Sequence, residues 1–206
     1  MRTFVKIFTM LLCIVILVLF AGCSDKPAEP DLGSAPAETP LFKEGEIVNV
    51  VITMEDGGKM QLELYPDKAP KTVANFVKLA KEGFYDGLTF HRIIEDFMIQ
   101  GGDPQGTGMG GADEEIYGEF AMNGFRQNDL SHKRGVISMA RAQNPNSASS
   151  QFFIVHADST YLDGQYAAFG MLKEGFDVLD RLAKTPVGMD GQTPMAKPVI
   201  KTITVE

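Results

Sequence analysis

The sequence predicts a mainly β fold, a closed antiparallel barrel, and three observations carry that reading. Short runs rich in β-branched and aromatic residues recur along the chain, separated by Gly, Pro and Asp turn signals. Only two stretches have helical periodicity, too few to alternate with the strands as a parallel βαβ sheet requires. Apolar residues make up 44% of the 206 and charged residues 22%, which is globular composition.

The elements follow in order. Glu46–Met54 and Lys59–Leu64 flank Glu55-Asp56-Gly57-Gly58, a hairpin signal, and in the second run Met60, Leu62 and Leu64 alternate with Gln61 and Glu63, so one face is buried. A helix should start at Pro70, bury Val73, Phe76, Val77 and Ala80, and stop at Gly83. Further strands are expected at Thr89–Ile94, Phe97–Gln100, Gly135–Met139, Gln151–His156, Ala167–Met171 and Val199–Val205. A second helix is expected at Phe176–Lys184, ended by Pro186.

Ahead of this body lies a segment of another kind. Arg2 and Lys6 precede an uncharged run from Ile7 to Gly22, 16 residues long. That is short for a bilayer span, which needs about 20 apolar residues, and has the layout of an export signal. Ala21-Gly22-Cys23 resembles a bacterial lipobox, in which Cys23 is lipidated and becomes the new N-terminus. The alternative is an uncleaved anchor with an incidental cysteine. Residues 24–42 carry four of the eleven prolines and should form a semi-extended spacer. The expected organisation is a signal peptide over 1–22, a lipidated Cys23 with its tether over 23–42, and one domain over 43–206. Export to the cell envelope as a membrane-anchored lipoprotein follows. Ser24 stands where an Asp would favour inner-membrane retention, so an outer-membrane address is expected if the organism has one.

Composition excludes several chemistries. A net charge of −8 argues against nucleic acid, whose phosphates need a basic face. Both cysteines, Cys13 and Cys23, lie in the leader, so the domain has no thiol nucleophile, thiolate zinc site or disulfide. No G-x-S-x-G, Walker A or H-E-x-x-H motif occurs. Residues 106–111 match G-x-G-x-x-G, but Asp113-Glu114-Glu115 follow and the strand-turn-helix context is missing, so the segment reads as a flexible loop. His91, His132 and His156 lack metal-ligand spacing and read as ordinary hydrogen-bonded or surface histidines. The clusters Glu95-Asp96 and Asp113-Glu114-Glu115 read as solvated loop charge.

What remains is Arg92 among apolar residues in FHRIIEDFMIQGGDP, residues 90–104. Period-two alternation puts Phe90, Arg92 and Ile94 on one face. A guanidinium there needs a partner or a task. It either pairs with Glu95, Asp96 or another acid, or points into an apolar cleft, held by Gln100. The residues alone leave these equal.

FHRIIEDFMIQGGDP, followed by GEF, SMARAQNPNSASSQFFI and LDGQYAAFG, resembles the cyclophilin family of peptidyl-prolyl cis-trans isomerases from about Ile47 to Val205. The resemblance implies an eight-stranded antiparallel barrel capped by two helices. It implies that Arg92 is the catalytic arginine and that Gln100 helps place it. Phe97, Met98, Phe153 and Leu162 would form the proline pocket, with Ala140 and Gln151 beside the groove for the peptide backbone. Arg141 lies where the family often has Asn. Tyr161 stands where many members have Trp, and Tyr166 where they have His, so cyclosporin binding is expected to be weak. Implied partners are proline-containing polypeptides, with the chain a monomer and no metal or cofactor required. The implied role is accelerated folding of exported proteins. A non-catalytic peptide-binding or holdase module would share the pocket without needing the arginine chemistry.

Overall fold

The structure is a computed structural model and describes residues 42–206. Cys23, the leader and the tether as far as Leu41 lie outside the described residues. Eight strands form one antiparallel sheet: β1 Val48–Met54, β2 Lys59–Leu64, β3 Arg92–Ile94, β4 Met98–Gly101, β5 Val136–Met139, β6 Phe152–Val155, β7 Ala168–Glu174 and β8 Ile200–Val205. Among the described residues two helices accompany them, α1 Pro70–Lys81 and α2 Phe176–Ala183. Short 3-10 turns at Ala121–Asn123 and Thr160–Leu162 were not anticipated by periodicity. They are too brief to carry any.

The strand order is β3-β4-β6-β5-β7-β2-β1-β8. The sheet is an open half-barrel and corrects the expected closed barrel. Its end strands, β3 and β8, share no ladder. β3 is only three residues long. The chain ahead of it meets the start of β8 at a single bridge, Thr89 with Val199. Pro198 accepts there from the Phe90 N–H at 2.9 Å, but it has no N–H to return, so pairing stops.

Alternation splits the sheet into two faces. Ile93, Ile99, Ile137 and Ile154 point into the main core with Phe76, Phe152 and Phe169. Met98, Val136, Phe153, Val155 and Ala168 face the other way and build a second, smaller apolar cluster. Phe90 sits in the main core, against Phe152 at 6.0 Å between ring centres. The expected common face for Phe90 and Arg92 therefore fails, because regular strand geometry begins only at Arg92.

α1 caps the main core with Thr72, Val73, Phe76, Leu79 and Ala80. Leu79 takes the buried place expected of Val77, which packs only at the margin. The helix ends in a glycine turn: Gly83 (φ 71°) donates to Ala80 O at 3.1 Å, and Phe84 donates to Leu79 O at 3.0 Å. Its start has no local side-chain cap. Glu119 supplies one from 48 residues away, accepting from the N–H groups of Lys71 (3.0 Å) and Thr72 (2.8 Å).

Candidate active site

Register places the site. Arg92 pairs with Gln100 across β3 and β4, Gln100 with Phe153 across β4 and β6, and Phe153 with Ser138 across β6 and β5. Directly paired residues share a face, so these four side chains form a row on the outer side of the sheet. Ile94 and Met98 form the neighbouring row with Val155.

Arg92 is half-buried, and no carboxylate pairs with it among the described residues. Its Nε donates to Gln192 Oε1 at 2.8 Å and its Nη1 to Gln100 Oε1 at 3.3 Å. The Met98 sulfur lies 3.9 Å from Nη1. Nη2 has no partner among the described residues. Of the two readings left open, the ion pair with Glu95 or Asp96 is excluded. Asp96 instead occupies a left-handed turn (φ 60°), with its N–H on His156 Nδ1 at 2.9 Å. Burial lowers the Arg92 pKa from its ordinary value, opposed by Tyr166 and Tyr161. A guanidinium stays charged throughout the physiological range.

Hydrogen bonds continue along the row. Gln100 Nε2 donates to Gln151 Oε1 at 2.8 Å, and Gln151 Nε2 donates to the carbonyls of Gly108 (3.0 Å) and Gly110 (2.7 Å). Both glutamine amides are thereby oriented, so Gln100 presents its oxygen to Arg92. The carbonyls belong to the glycine segment 106–111, which is a loop, as expected. Asp103, itself buried, accepts from the N–H groups of Gln105 (2.8 Å), Thr107 (2.9 Å) and Gly108 (2.6 Å), which ties the loop down. Burial alone would raise the Asp103 carboxyl, but these N–H groups and that of Gly110 together hold it below the ordinary value.

Beside Arg92 opens a cleft of about 170 Å³ lined by Phe97, Met98, Phe153 and Leu162, with Gln100, Ala140, Arg141 and Tyr166 at its edges. Two of the implied residues lie apart from it. Gln151 lines an adjoining cavity of about 730 Å³, which shares Gln100, Ala140 and Arg141 with the cleft and carries Asp113 and Glu115 on its wall. Tyr161 is 63% exposed and stands on the rim, 6.0 Å from the Phe97 ring.

Sequence reasoning missed what supports this cleft. Arg141 donates to Gln165 O from Nε (3.1 Å) and Nη2 (2.9 Å) and lies over Tyr166 at 4.7 Å, fixing that wall. Behind Phe153, His132 is fully buried and stacks on its ring at 6.0 Å. His132 Nδ1 lies 2.9 Å from Asp163 Oδ1, and its Nε2 lies 3.0 Å from Ser138 Oγ. This Ser-His-Asp set cannot act as a nucleophile, since Ser138 is fully buried. His91 departs from the expected ordinary histidine: it is buried, and neither ring nitrogen has a partner among the described residues. His156 is ordinary, bonded at Nδ1 by Asp96 and at 3.2 Å from Asp180 through Nε2. Gln192 carried no local signal, being 100 positions from its partner. Among the described residues no three His, Cys, Asp or Glu side chains cluster as metal ligands would.

Residues 49–205 match the family model for the cyclophilin-type peptidyl-prolyl cis-trans isomerases. The chain belongs to this family. A Bacillus subtilis relative, peptidyl-prolyl cis-trans isomerase B, is 46% identical over 134 residues, covering 65% of this chain and 90% of the relative. A Streptococcus pyogenes protein described as a bifunctional phosphatase/peptidyl-prolyl cis-trans isomerase is 44% identical over 177 residues. That match covers 72% of this chain but only 37% of the longer relative. A crystal structure of a Cryptosporidium parvum cyclophilin superposes with a TM-score of 0.71 at 34% identity, covering 78% of this chain and 98% of that one. The same protein has also been crystallised in the presence of the dipeptide Ala-Pro. The cyclophilin domain is thus an isomerase of class EC 5.2.1.8, and its fold is that of the family.

Proposed function

We propose that this cyclophilin turns over X–Pro bonds at the cleft between Arg92 and Phe153, and that it does so on exported chains at the cell envelope. One observation carries the catalytic part: Arg92 is held by two carboxamides and the Met98 sulfur, all neutral, with Nη2 free among the described residues, beside an apolar cleft. Rotation about an X–Pro bond faces a barrier of roughly 18–20 kcal/mol, set by amide resonance. No bond is made or broken, so neither nucleophile nor metal is called for.

Phe97, Met98, Phe153 and Leu162 hold the proline ring while the amide rotates. As it twists, the prolyl nitrogen recovers its lone pair, and Arg92 Nη2 donates to it. That interaction is stronger in the twisted state than in either planar state, which is what accelerates the reaction. Phe97, Met98, Phe153 and Leu162 make the pocket side apolar, and a low-dielectric wall strengthens the interaction. Ala140 and Gln151 flank the path of the peptide backbone. Tyr161 and Tyr166 touch the rim and wall, so they bear on large ligands such as cyclosporin more than on a prolyl dipeptide.

The envelope part rests on the sequence of residues 1–42, with Cys23 as the lipid acceptor. The domain needs no cofactor and acts as a monomer. Two measurements test the reading. Magnetisation-exchange NMR on an Ala-Pro peptide with catalytic amounts of protein should show cis–trans exchange accelerated well above the uncatalysed rate. Binding without accelerated exchange would make the domain a holdase. Mass spectrometry of the mature N-terminus should show a lipid on Cys23, lost in Cys23→Ser. An unmodified wild-type N-terminus elsewhere would overturn the lipoprotein reading.

A further inference from the structure

We propose that Gln192 is a positioning residue for Arg92, an inference that rests on the catalytic reading of that arginine. The Nε–Oε1 bond of 2.8 Å is the shorter of the two side-chain oxygen contacts to the guanidinium; that from Gln100 is 3.3 Å. A planar guanidinium is fixed in orientation only when it is held at two points. Gln100 holds Nη1 from one side and Gln192 holds Nε from the other. Together they leave Nη2 without a partner among the described residues, on a side chain that lines the cleft.

Gln192 is placed for this by its backbone. The Ile93 N–H donates to Gln192 O at 2.8 Å, which locks the residue beside β3 next to Arg92. The surrounding loop is built to keep it there. Val187 bridges Pro194, and Gly188 N–H donates to Thr193 O at 2.8 Å. Asp190 accepts from the N–H groups of Gln192 (3.2 Å) and Thr193 (3.0 Å) and from Thr193 Oγ1 (2.6 Å). These contacts brace the 187–194 loop across its own ends.

The amide chemistry matters as well as the position. A carboxylate at Gln192 would orient the guanidinium equally well but would compensate its charge, and an Arg⁺ already paired stabilises a developing lone pair less. Two neutral acceptors fix the geometry and leave the cation without a carboxylate partner among the described residues.

The test is a double-mutant cycle on the full chain in mild detergent, read as kcat and KM for a prolyl peptide. Gln192→Met keeps the side-chain volume and removes the acceptor; Gln192→Ala removes both. Each should lower kcat/KM about tenfold, the scale of one charge-assisted hydrogen bond, through kcat and with KM nearly unchanged. In an Arg92→Ala background the same changes should alter kcat/KM by less than about twofold, since nothing remains to be positioned. Unchanged thermal midpoints for Gln192→Met separate this from lost folding. Activity of Gln192→Met within about twofold of wild type, or an undiminished effect in the Arg92→Ala background, overturns the role of Gln192 alone. An Arg92→Ala protein as active as wild type overturns the reading of Arg92, and this inference with it.

Discussion

At the scale of single residues, two buried histidines make the stability of the domain sensitive to pH. Burial pushes the His132 pKa below its ordinary value, and Asp163 only partly opposes this. Near neutral pH the ring is therefore uncharged, its Nδ1–H donating to Asp163 and its Nε2 accepting from Ser138. Burial lowers the His91 pKa as well. The unfolded chain then binds more protons than the folded one below about pH 6.5, the free histidine value. Stability from these histidines is complete above that value and is lost as pH falls toward the lowered folded values. Urea midpoints should hold steady from pH 8 to 7 and drop between pH 6.5 and 5.5. His132→Gln should flatten the drop without abolishing it, because His91 still titrates. A midpoint that rises on acidification would contradict both assignments. The residue-level picture was only half legible in the sequence. FHRIIEDFMIQ marked Arg92 and Gln100, but left open an ion pair with Glu95 or Asp96. Adjacent carboxylates look like natural partners until a left-handed turn at Asp96 carries them to solvent. The true second partner, Gln192, lies in a loop without periodicity.

At the scale of elements, the GEF segment is structural. Glu119 is buried, and its carboxylate accepts from the N–H groups of Lys71 and Thr72 and from Thr72 Oγ1, all within 3.0 Å. It therefore caps α1, whose own N-cap residue, Ala69, offers no side-chain acceptor. The negative charge also sits favourably against the helix N-terminus. Glu119→Ala should destabilise the domain by about 1–3 kcal/mol, through orphaned helix donors and an emptied buried site. Glu119→Gln, which keeps one acceptor oxygen, should lose less. Equilibrium urea unfolding checks this, and a loss below about 0.5 kcal/mol for Glu119→Ala would remove the cap from the account. Most elements were readable because their periods were clean: α1 and α2 appear within a residue or two of expectation, as do β2 and β4. The remote cap was not readable, since a helix start is sought in its own flanking residues and Glu119 is 47 residues from Thr72.

At the scale of the whole molecule, the sheet separates stability from chemistry. Its inner face holds the aromatic core under α1, and its outer face carries the row Arg92–Gln100–Phe153–Ser138. A period of two assigns residues to faces, and so most of the site row was visible in the strands. It says nothing about whether the last strand meets the first. Closure depends on the pairing of β3 with β8, and that pairing is stopped by the brevity of one strand and the proline before the other. The open edge sits beside the 187–194 loop, so the end of the sheet that does not close is the end from which Gln192 reaches Arg92. The central claim is that an unpaired arginine on the outer face of this sheet drives prolyl rotation. A protease-free isomerisation assay of wild type against Arg92→Ala tests it most directly, with thermal unfolding as the control for the fold. The account predicts a loss of about a hundredfold or more in kcat/KM at an unchanged midpoint; a rate within about threefold of wild type would contradict it.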